Sequence, residues 1–104
     1  MYELKEYAEC EGSPFREWFD ALDAMTAARI DRFVRRMENG NFGDSKPVGG
    51  GVQELRMHFG AGYRIYYGRD GDTIIILLGG GSKRKQSVDI AAAKKRWARY
   101  KKAR

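Results

Sequence analysis

The run Ile74–Leu78 restricts the fold more than any other feature, because five apolar residues follow one another without a break. Successive side chains of a strand point to opposite faces of a sheet, so this strand is apolar on both faces. The hairpin signal Asp70-Gly71 precedes the run, and the triple glycine 79–81 follows it. We therefore predict a central strand over 73–78, covered on both sides and ended by the glycines.

The alternation of apolar and polar residues predicts further strands. Val52–Phe59 and Tyr63–Gly68 both alternate and lie close together, so they predict two neighbouring strands of a meander. Tyr2–Glu9 alternates in the same way and predicts a first strand. Residues 40–51 contain a proline and three consecutive glycines, and we expect them to form a loop.

A helical hairpin is predicted after the first strand. Ser13 and Pro14 are N-cap and first-turn signals, and apolar residues follow them at helical spacing. The helical spacing of the apolar residues is interrupted near Asp23, and a second helix follows, which ends at the stop signal Asn39-Gly40. A last helix begins at about residue 87, and its packing stripe is Ile90, Ala93, Trp97 and Tyr100. The order β-α-α-β-β-β-α predicts an α+β fold, an antiparallel meander with the helical hairpin on one face and a C-terminal helix.

Length and composition exclude several classes of protein. A chain of 104 residues has room for one hydrophobic core, so residues 1–104 are expected to form a single domain. No apolar run approaches the ~18 residues of a membrane span, and no signal peptide is readable, so we expect a cytoplasmic protein that does not bind membranes. One cysteine, Cys10, and one histidine are too few soft ligands for a metal site, and no cofactor is expected.

Positive charge is concentrated at the C-terminal end of the chain. Residues 82–104 hold ten Lys or Arg and one acid, a net charge of +9, whereas residues 1–81 carry a net charge of −3. This asymmetry predicts an anionic partner, and RNA is the partner that we expect. The alternative is a solvated helix face followed by a frayed basic tail.

Two arginines on neighbouring strands indicate a site for phosphate. Arg56 and Arg64 have the same parity on their strands, so their side chains are expected to converge on the outward face of the meander. The cluster Lys83-Arg84-Lys85 follows the central strand and adds positive charge at the same edge. Together they predict a phosphate-sized pocket, unless Arg56 pairs with an acid and only decorates the surface.

Three other side chains share that face: Glu54, His58 and Tyr66. His58 is a candidate general acid or base, because an imidazole titrates near neutral pH, although a lone strand histidine is more often structural. Tyr66 either stacks on a base or packs in the core, and packing is the favoured interpretation.

The succession of these motifs resembles the RelE/ParE superfamily of toxins from type II toxin–antitoxin modules, over almost the whole chain. The closer resemblance is to the HigB-like branch of phage-derived addiction module killer proteins, through Gly49–Arg56 and Leu77–Gly81. The segments that carry the superfamily resemblance are Glu54–Arg56, Gly62–Tyr67, Ile75–Leu78, Lys83–Lys85 and Ala91–Lys95.

The resemblance implies a fold similar to microbial ribonucleases. Many members cut mRNA in the ribosomal A site, whereas ParE-type members poison DNA gyrase. It also implies that Arg64 contacts the scissile phosphate, that Lys83 or Arg84 assists, and that Arg56 matches the arginine of a Leu-Arg pair. Val52 and Glu54 occupy positions where RelE-type members have lysines, and Asp89 falls near the position of a family tyrosine. The resemblance therefore does not identify the general acid or the general base.

The function expected from this resemblance is that of a toxin, an mRNA interferase that cleaves mRNA on the ribosome and inhibits translation. Arg64 and Arg56 would stabilise the phosphoryl oxygens, Glu54 or His58 would act as the base, and Lys83 or Lys85 would steady the leaving oxygen. The side chains expected to bind RNA are Arg84, Lys85, Lys94, Lys95 and Arg99.

Two alternatives stay open at this stage: a ParE-like, non-enzymatic inhibitor of gyrase and a non-catalytic RNA-binding module. The partners implied by the resemblance are the ribosome with its mRNA and a cognate antitoxin, usually a helix-turn-helix protein. The toxin–antitoxin complex would then set the oligomeric state.

Overall fold

Five strands and three α-helices follow one another in the order β-α-α-β-β-β-β-α in the computed structural model, which describes residues 1–104. The α+β class predicted from the sequence is confirmed. None of the helices has the length and apolar character needed to cross a membrane. The elements are β1 (Glu3–Glu6), α1 (Pro14–Asp20), α2 (Ala24–Glu38), β2 (Asp44–Gly49), β3 (Val52–Met57), β4 (Tyr63–Asp70), β5 (Ile74–Gly81), a 3₁₀ turn (Lys83–Lys85) and α3 (Gln86–Ala103).

The strands form one sheet in the order β1-β5-β4-β3-β2. The meander β3-β4-β5 is antiparallel, as predicted, and β1 lies parallel to β5 at one edge, with Leu4 opposite Ile75. Strand β5 therefore has a neighbour on each side, which confirms its prediction as a central strand. The predicted first strand is shorter than expected, because only Glu3–Glu6 pair with β5.

Strand β2 corrects the prediction of a loop over residues 40–51. Asp44–Gly49 pairs antiparallel with β3, and Ser45 lies opposite Leu55. Pro47 is tolerated because β2 is an edge strand whose outer side needs no hydrogen-bond donors. The loop prediction was wrong because proline and glycine signal a break in local structure, whereas the pairing of β2 depends on β3 alongside it.

The helices begin and end where the sequence signals predicted. The Ser13 hydroxyl accepts a hydrogen bond from the backbone N–H of Arg16 at 3.1 Å, and the Asp23 carboxylate caps α2 through Thr26 at 3.1 Å. Helix α2 ends at Glu38, and Gly40 follows it with φ +86°, a conformation that favours glycine. The starts of both helices and the end of α2 are therefore set by local capping chemistry.

The sheet has a hydrophobic core on each face. The core under α1 and α2 contains Leu55, Ile65, Tyr67, Ile75 and Leu77 from the sheet, and Phe15, Ile30, Val34 and Met37 from the helices. The core under α3 contains Val52, Tyr66, Ile76 and Leu78 from the sheet, and Ala93 and Trp97 from the helix. The face expected to point outward is therefore covered by α3, which corrects that expectation. The favoured interpretation of Tyr66 as a packed residue is confirmed, because its side chain is buried.

The triple glycine 79–81 belongs to β5 and does not end it, contrary to the prediction. A Cβ atom on Gly80 would overlap the indole ring of Trp18, and one on Gly81 would overlap the carboxylate of Asp89. These glycines therefore let α1 and α3 approach β5 closely on opposite faces. In the sequence they were interpreted as a turn signal, and that interpretation does not reveal the close packing.

Candidate active site

A cleft of about 440 Å³ opens where the β3–β4 turn meets the 3₁₀ turn that follows β5. Four of the side chains singled out in the sequence line it: Arg56, His58, Arg64 and Lys83. Phe59 and Tyr63 form an aromatic side of the same cleft. The cleft therefore combines two guanidinium groups, an ammonium group, an imidazole and two aromatic rings.

Strand register brings these cations together. Arg56 lies directly opposite Arg64 in the β3–β4 pair, and Arg64 lies opposite Gly81 in the β4–β5 pair. The backbone N–H of Lys83 donates to the carbonyl of Ala61 in the β3–β4 turn at 3.3 Å. The 3₁₀ turn is thereby held against the hairpin, and Lys83 joins the two arginines.

A buried ion pair holds Arg64 in place. Its Nε lies 3.4 Å from Oε2 of Glu54, and its Nη1 donates to the carbonyl of Gly62 at 2.9 Å. The side chain of Arg64 is 10% exposed and that of Glu54 is 0% exposed. The same Glu54 oxygen accepts a hydrogen bond from Nε2 of Gln86, the first residue of α3, at 2.9 Å. Glu54 is therefore enclosed behind the cleft, whereas Arg64 reaches its wall.

Two further polar side chains, Tyr66 of β4 and Asp89 of the first turn of α3, lie on the same side of the sheet as Glu54. Burial raises the pKa of the Tyr66 hydroxyl, and the charges of Glu54 and Asp89 add to this effect. Burial also raises the pKa of Asp89, against the opposing effect of Lys85 and Arg96. Asp89 lies over the backbone of Gly81 and does not line the cleft.

A second carboxylate, Asp44 of β2, contacts the cleft from the edge of the sheet. One of its oxygens lies 2.5 Å from Nε2 of His58, and the other accepts from Nη2 of Arg56 at 3.3 Å. The hydrogen bond from His58, assisted by Arg56, holds the pKa of Asp44 below its ordinary value. When Nε2 of the imidazole donates to Asp44, Nδ1 is left as a free acceptor. Asp44 was missed in the sequence because it lay in the predicted loop, and only the pairing of β2 with β3 brings it to His58.

The five side chains expected to bind RNA are exposed but divide into two groups. Arg84 and Lys85 lie in the 3₁₀ turn beside Lys83. Lys94, Lys95 and Arg99 belong to α3, where Lys94 contacts the β2–β3 turn and Arg99 pairs with Glu9 at 3.1 Å. No group of three or more His, Cys, Asp or Glu side chains is close enough to hold a metal ion.

The fold and the cleft define a small α+β protein with a cationic site suited to a phosphate group, since guanidinium and ammonium donors converge on one open cleft. The chain belongs to the family described as Phage derived protein Gp49-like (DUF891), whose model matches residues 17–101. This is a RelE-like family associated with toxin–antitoxin modules. An uncharacterized protein of Haemophilus influenzae is 42% identical over 81 residues, which is 77% of this chain and 82% of that relative. No solved structure is significantly similar to this chain.

Proposed function

We propose that this chain is the toxin of a type II toxin–antitoxin module and acts in the cytoplasm as an mRNA interferase of the HigB-like branch. In this proposal residues 1–104 form one RelE/ParE-type domain that cleaves mRNA on the ribosome and so inhibits translation. The observation that carries the proposal is the convergence of Arg56, Arg64, Lys83 and His58 on one cleft. Membership of a toxin–antitoxin family supports it.

The reaction is an attack of an RNA 2′-hydroxyl on the adjacent phosphate. Nδ1 of His58 takes the hydroxyl proton as the new O2′–P bond forms, and Asp44 holds the imidazole through Nε2. The P–O5′ bond breaks, and the ammonium of Lys83 delivers a proton to the leaving oxygen. The products are a 2′,3′-cyclic phosphate and a free 5′-hydroxyl, so no other reactant is needed.

The arginines stabilise the charge that develops on the phosphoryl oxygens. Arg64 is held in advance by Glu54 and by the carbonyl of Gly62, so it needs little reorganisation during the reaction. A donor held in this way contributes about 3–4 kcal/mol to the transition state. The sequence left either Glu54 or His58 as the base. Because Glu54 is enclosed, we assign the base to His58 and the positioning of Arg64 to Glu54.

The experiment adds the purified chain to translating ribosomes and maps the 5′ ends of the mRNA. Lys83→Met and His58→Gln change exposed side chains, so both variants are expected to fold. Each should lower the cleavage rate by about 10²- to 10⁴-fold, the usual contribution of a general acid or base. Lys5→Met, an exposed lysine on the edge strand β1, is the matched control and should cleave at the wild-type rate.

Two outcomes would contradict the interferase assignment. If both cleft variants cleaved mRNA at the wild-type rate, the cleft would not be the site of the reaction. Intact mRNA together with gyrase-dependent DNA damage would favour the ParE-like alternative.

The proposal also names the partners of the toxin. A cognate antitoxin, expected to be a helix-turn-helix protein, would neutralise it, and their complex would set the oligomeric state. The exposed cations Lys94, Lys95 and Arg99 on α3 would dock on ribosomal RNA, and Arg84 and Lys85 would contact RNA beside the cleft.

A further inference from the structure

The exposed face of α2 carries a strip of three arginines, Arg29, Arg32 and Arg36, which we call the arginine strip. Their spacing of i, i+3 and i+7 puts them within about 60° of one another around the helix. All three are exposed, and none of them forms an ion pair. The strip therefore presents three uncompensated positive charges to solvent over a helix length of about 10 Å.

The fourth arginine of α2 has a different environment. Nε of Arg35 lies 3.5 Å from Asp31, and its Nη1 lies 2.7 Å from Glu38, so two carboxylates compensate its charge. These three residues line a groove on the side of α2 that faces β1 and α1. The exposed face of α2 is thus divided lengthwise into a positive half and a half with no net positive charge.

The arginine strip lies on the side of α2 that borders the candidate active site. The guanidinium of Arg29 lies 3.9 Å above the ring of Phe59, which lines the cleft. The guanidinium of Arg36 lies 4.9 Å from the ring of Phe33, and that ring stacks on Phe59 with centroids 6.2 Å apart. Positive charge therefore continues from the cleft across two aromatic rings onto α2.

We infer that the arginine strip is a second binding surface for single-stranded RNA, which holds the strand where it leaves the cleft. This inference rests on the proposed function. Guanidinium groups that lie over aromatic rings, as those of Arg29 and Arg36 do, are held in place and still have N–H donors free for phosphate oxygens. Bases of a single strand can stack on the same aromatic and guanidinium planes. RNA is favoured over an acidic protein because the strip continues a cleft already suited to phosphate.

The test measures binding of a short, fluorescently labelled 2′-O-methyl RNA by anisotropy over a range of salt concentrations. The methyl groups block attack by the 2′-oxygen, so binding is measured without cleavage. The variant Arg29→Gln/Arg32→Gln/Arg36→Gln loses three charges. Each charge contributes about 0.7 to the slope of log K against log salt for a single strand, so the slope should fall by about 2.

Two further variants serve as controls. Arg35→Gln changes the same residue type on the same helix, but its charge is already compensated, so its slope should match the wild type. Replacement of all three strip arginines by lysine keeps the charges and should restore most of the slope. Circular dichroism of each variant checks that α2 is intact.

A triple glutamine variant with the wild-type slope would overturn the inference. If that variant instead lost affinity for poly-L-glutamate, the strip would belong to an acidic protein partner. The proposed function fails separately: a chain that cuts no mRNA but shows the expected fall in slope would refute the interferase and leave the strip as an RNA-binding surface.

Discussion

The buried pair of Glu54 and Arg64 offers a quantitative prediction, because the variant Glu54→Gln removes one charge with little change in shape. At the observed separation of 3.4 Å, an effective dielectric constant of about 20 gives an attraction of about 5 kcal/mol. Breaking a buried pair by removing one partner commonly costs about 3–5 kcal/mol, because the other charge is left uncompensated. Arg64 keeps an exposed edge at the cleft, so we expect a loss of about 3 kcal/mol in the free energy of unfolding.

A double-mutant cycle separates the pair from other effects of the substitutions. Arg64→Gln alone should also cost about 3 kcal/mol, since it leaves Glu54 charged and buried. The double variant has no buried charge in this pair, so it should lose only about 3 kcal/mol, half the sum of the single losses. Urea denaturation followed by circular dichroism gives each free energy. Should a single variant fail to fold, recovery of a folded double variant still tests the coupling.

Additivity of the two single losses within about 0.5 kcal/mol would refute the reasoning, because it would mean that the charges do not interact. Glu9→Gln is the matched control, since it makes the same chemical change in the exposed pair with Arg99. That control should change the free energy of unfolding by less than about 1 kcal/mol.

Three other outcomes follow from the packing and the electrostatics. Gly80→Ala forces a methyl group against Trp18 and should lower the free energy of unfolding by about 1–3 kcal/mol in urea denaturation. An unchanged midpoint of the urea transition would contradict the close contact. The hydrogen bond from His58 lowers the pKa of Asp44 in the folded state. The ionised carboxylate therefore stabilises the fold above its unfolded pKa of about 4, and this stabilisation is lost as the pH falls through the folded-state pKa. Asp44→Asn should therefore be less stable than the wild type at pH 7 and should approach it in urea denaturation at acidic pH, whereas a constant difference would argue against the linkage. Arg99→Gln should weaken RNA binding, as measured by anisotropy, and should lower the slope of log K against log salt by less than about 0.7. The reason is that the charge of Arg99 is already paired with Glu9. A full loss of about 0.7 would contradict that pairing.

The helices and the central strand could be predicted from the sequence because their signals are local. The Ser13 and Asp23 caps, the stop at Gly40 and the unbroken run Ile74–Leu78 depend on neighbours in the chain, and each has its predicted role in the structure. Strand β2 could not be predicted in this way. Its own residues favour a loop, and its hydrogen bonds come from β3.

The candidate site was only partly accessible to the same reasoning. The parity of Arg56 and Arg64 predicts their convergence, and the register of β3 and β4 puts them directly opposite each other. The apolar run of β5 predicted cover on both of its faces, but the alternation of β3 and β4 did not reveal that α3 also covers these strands and encloses Glu54. It also missed Asp44, whose contact with His58 depends on the strand that was not predicted.

The sequence by itself determined the class of the fold, the ends of the helices, the central strand and the strongly basic end, because these follow from capping, periodicity and the count of charges. Only the tertiary structure decided which charges are free. It encloses Glu54 with Arg64 and pairs Arg56 with Asp44 of β2, but it leaves the arginine strip of α2 uncompensated beside the cleft. The physical reason is that burial and pairing of a charge depend on residues distant in the chain. The basic C-terminal end, which first suggested RNA, is therefore one part of a wider positive surface.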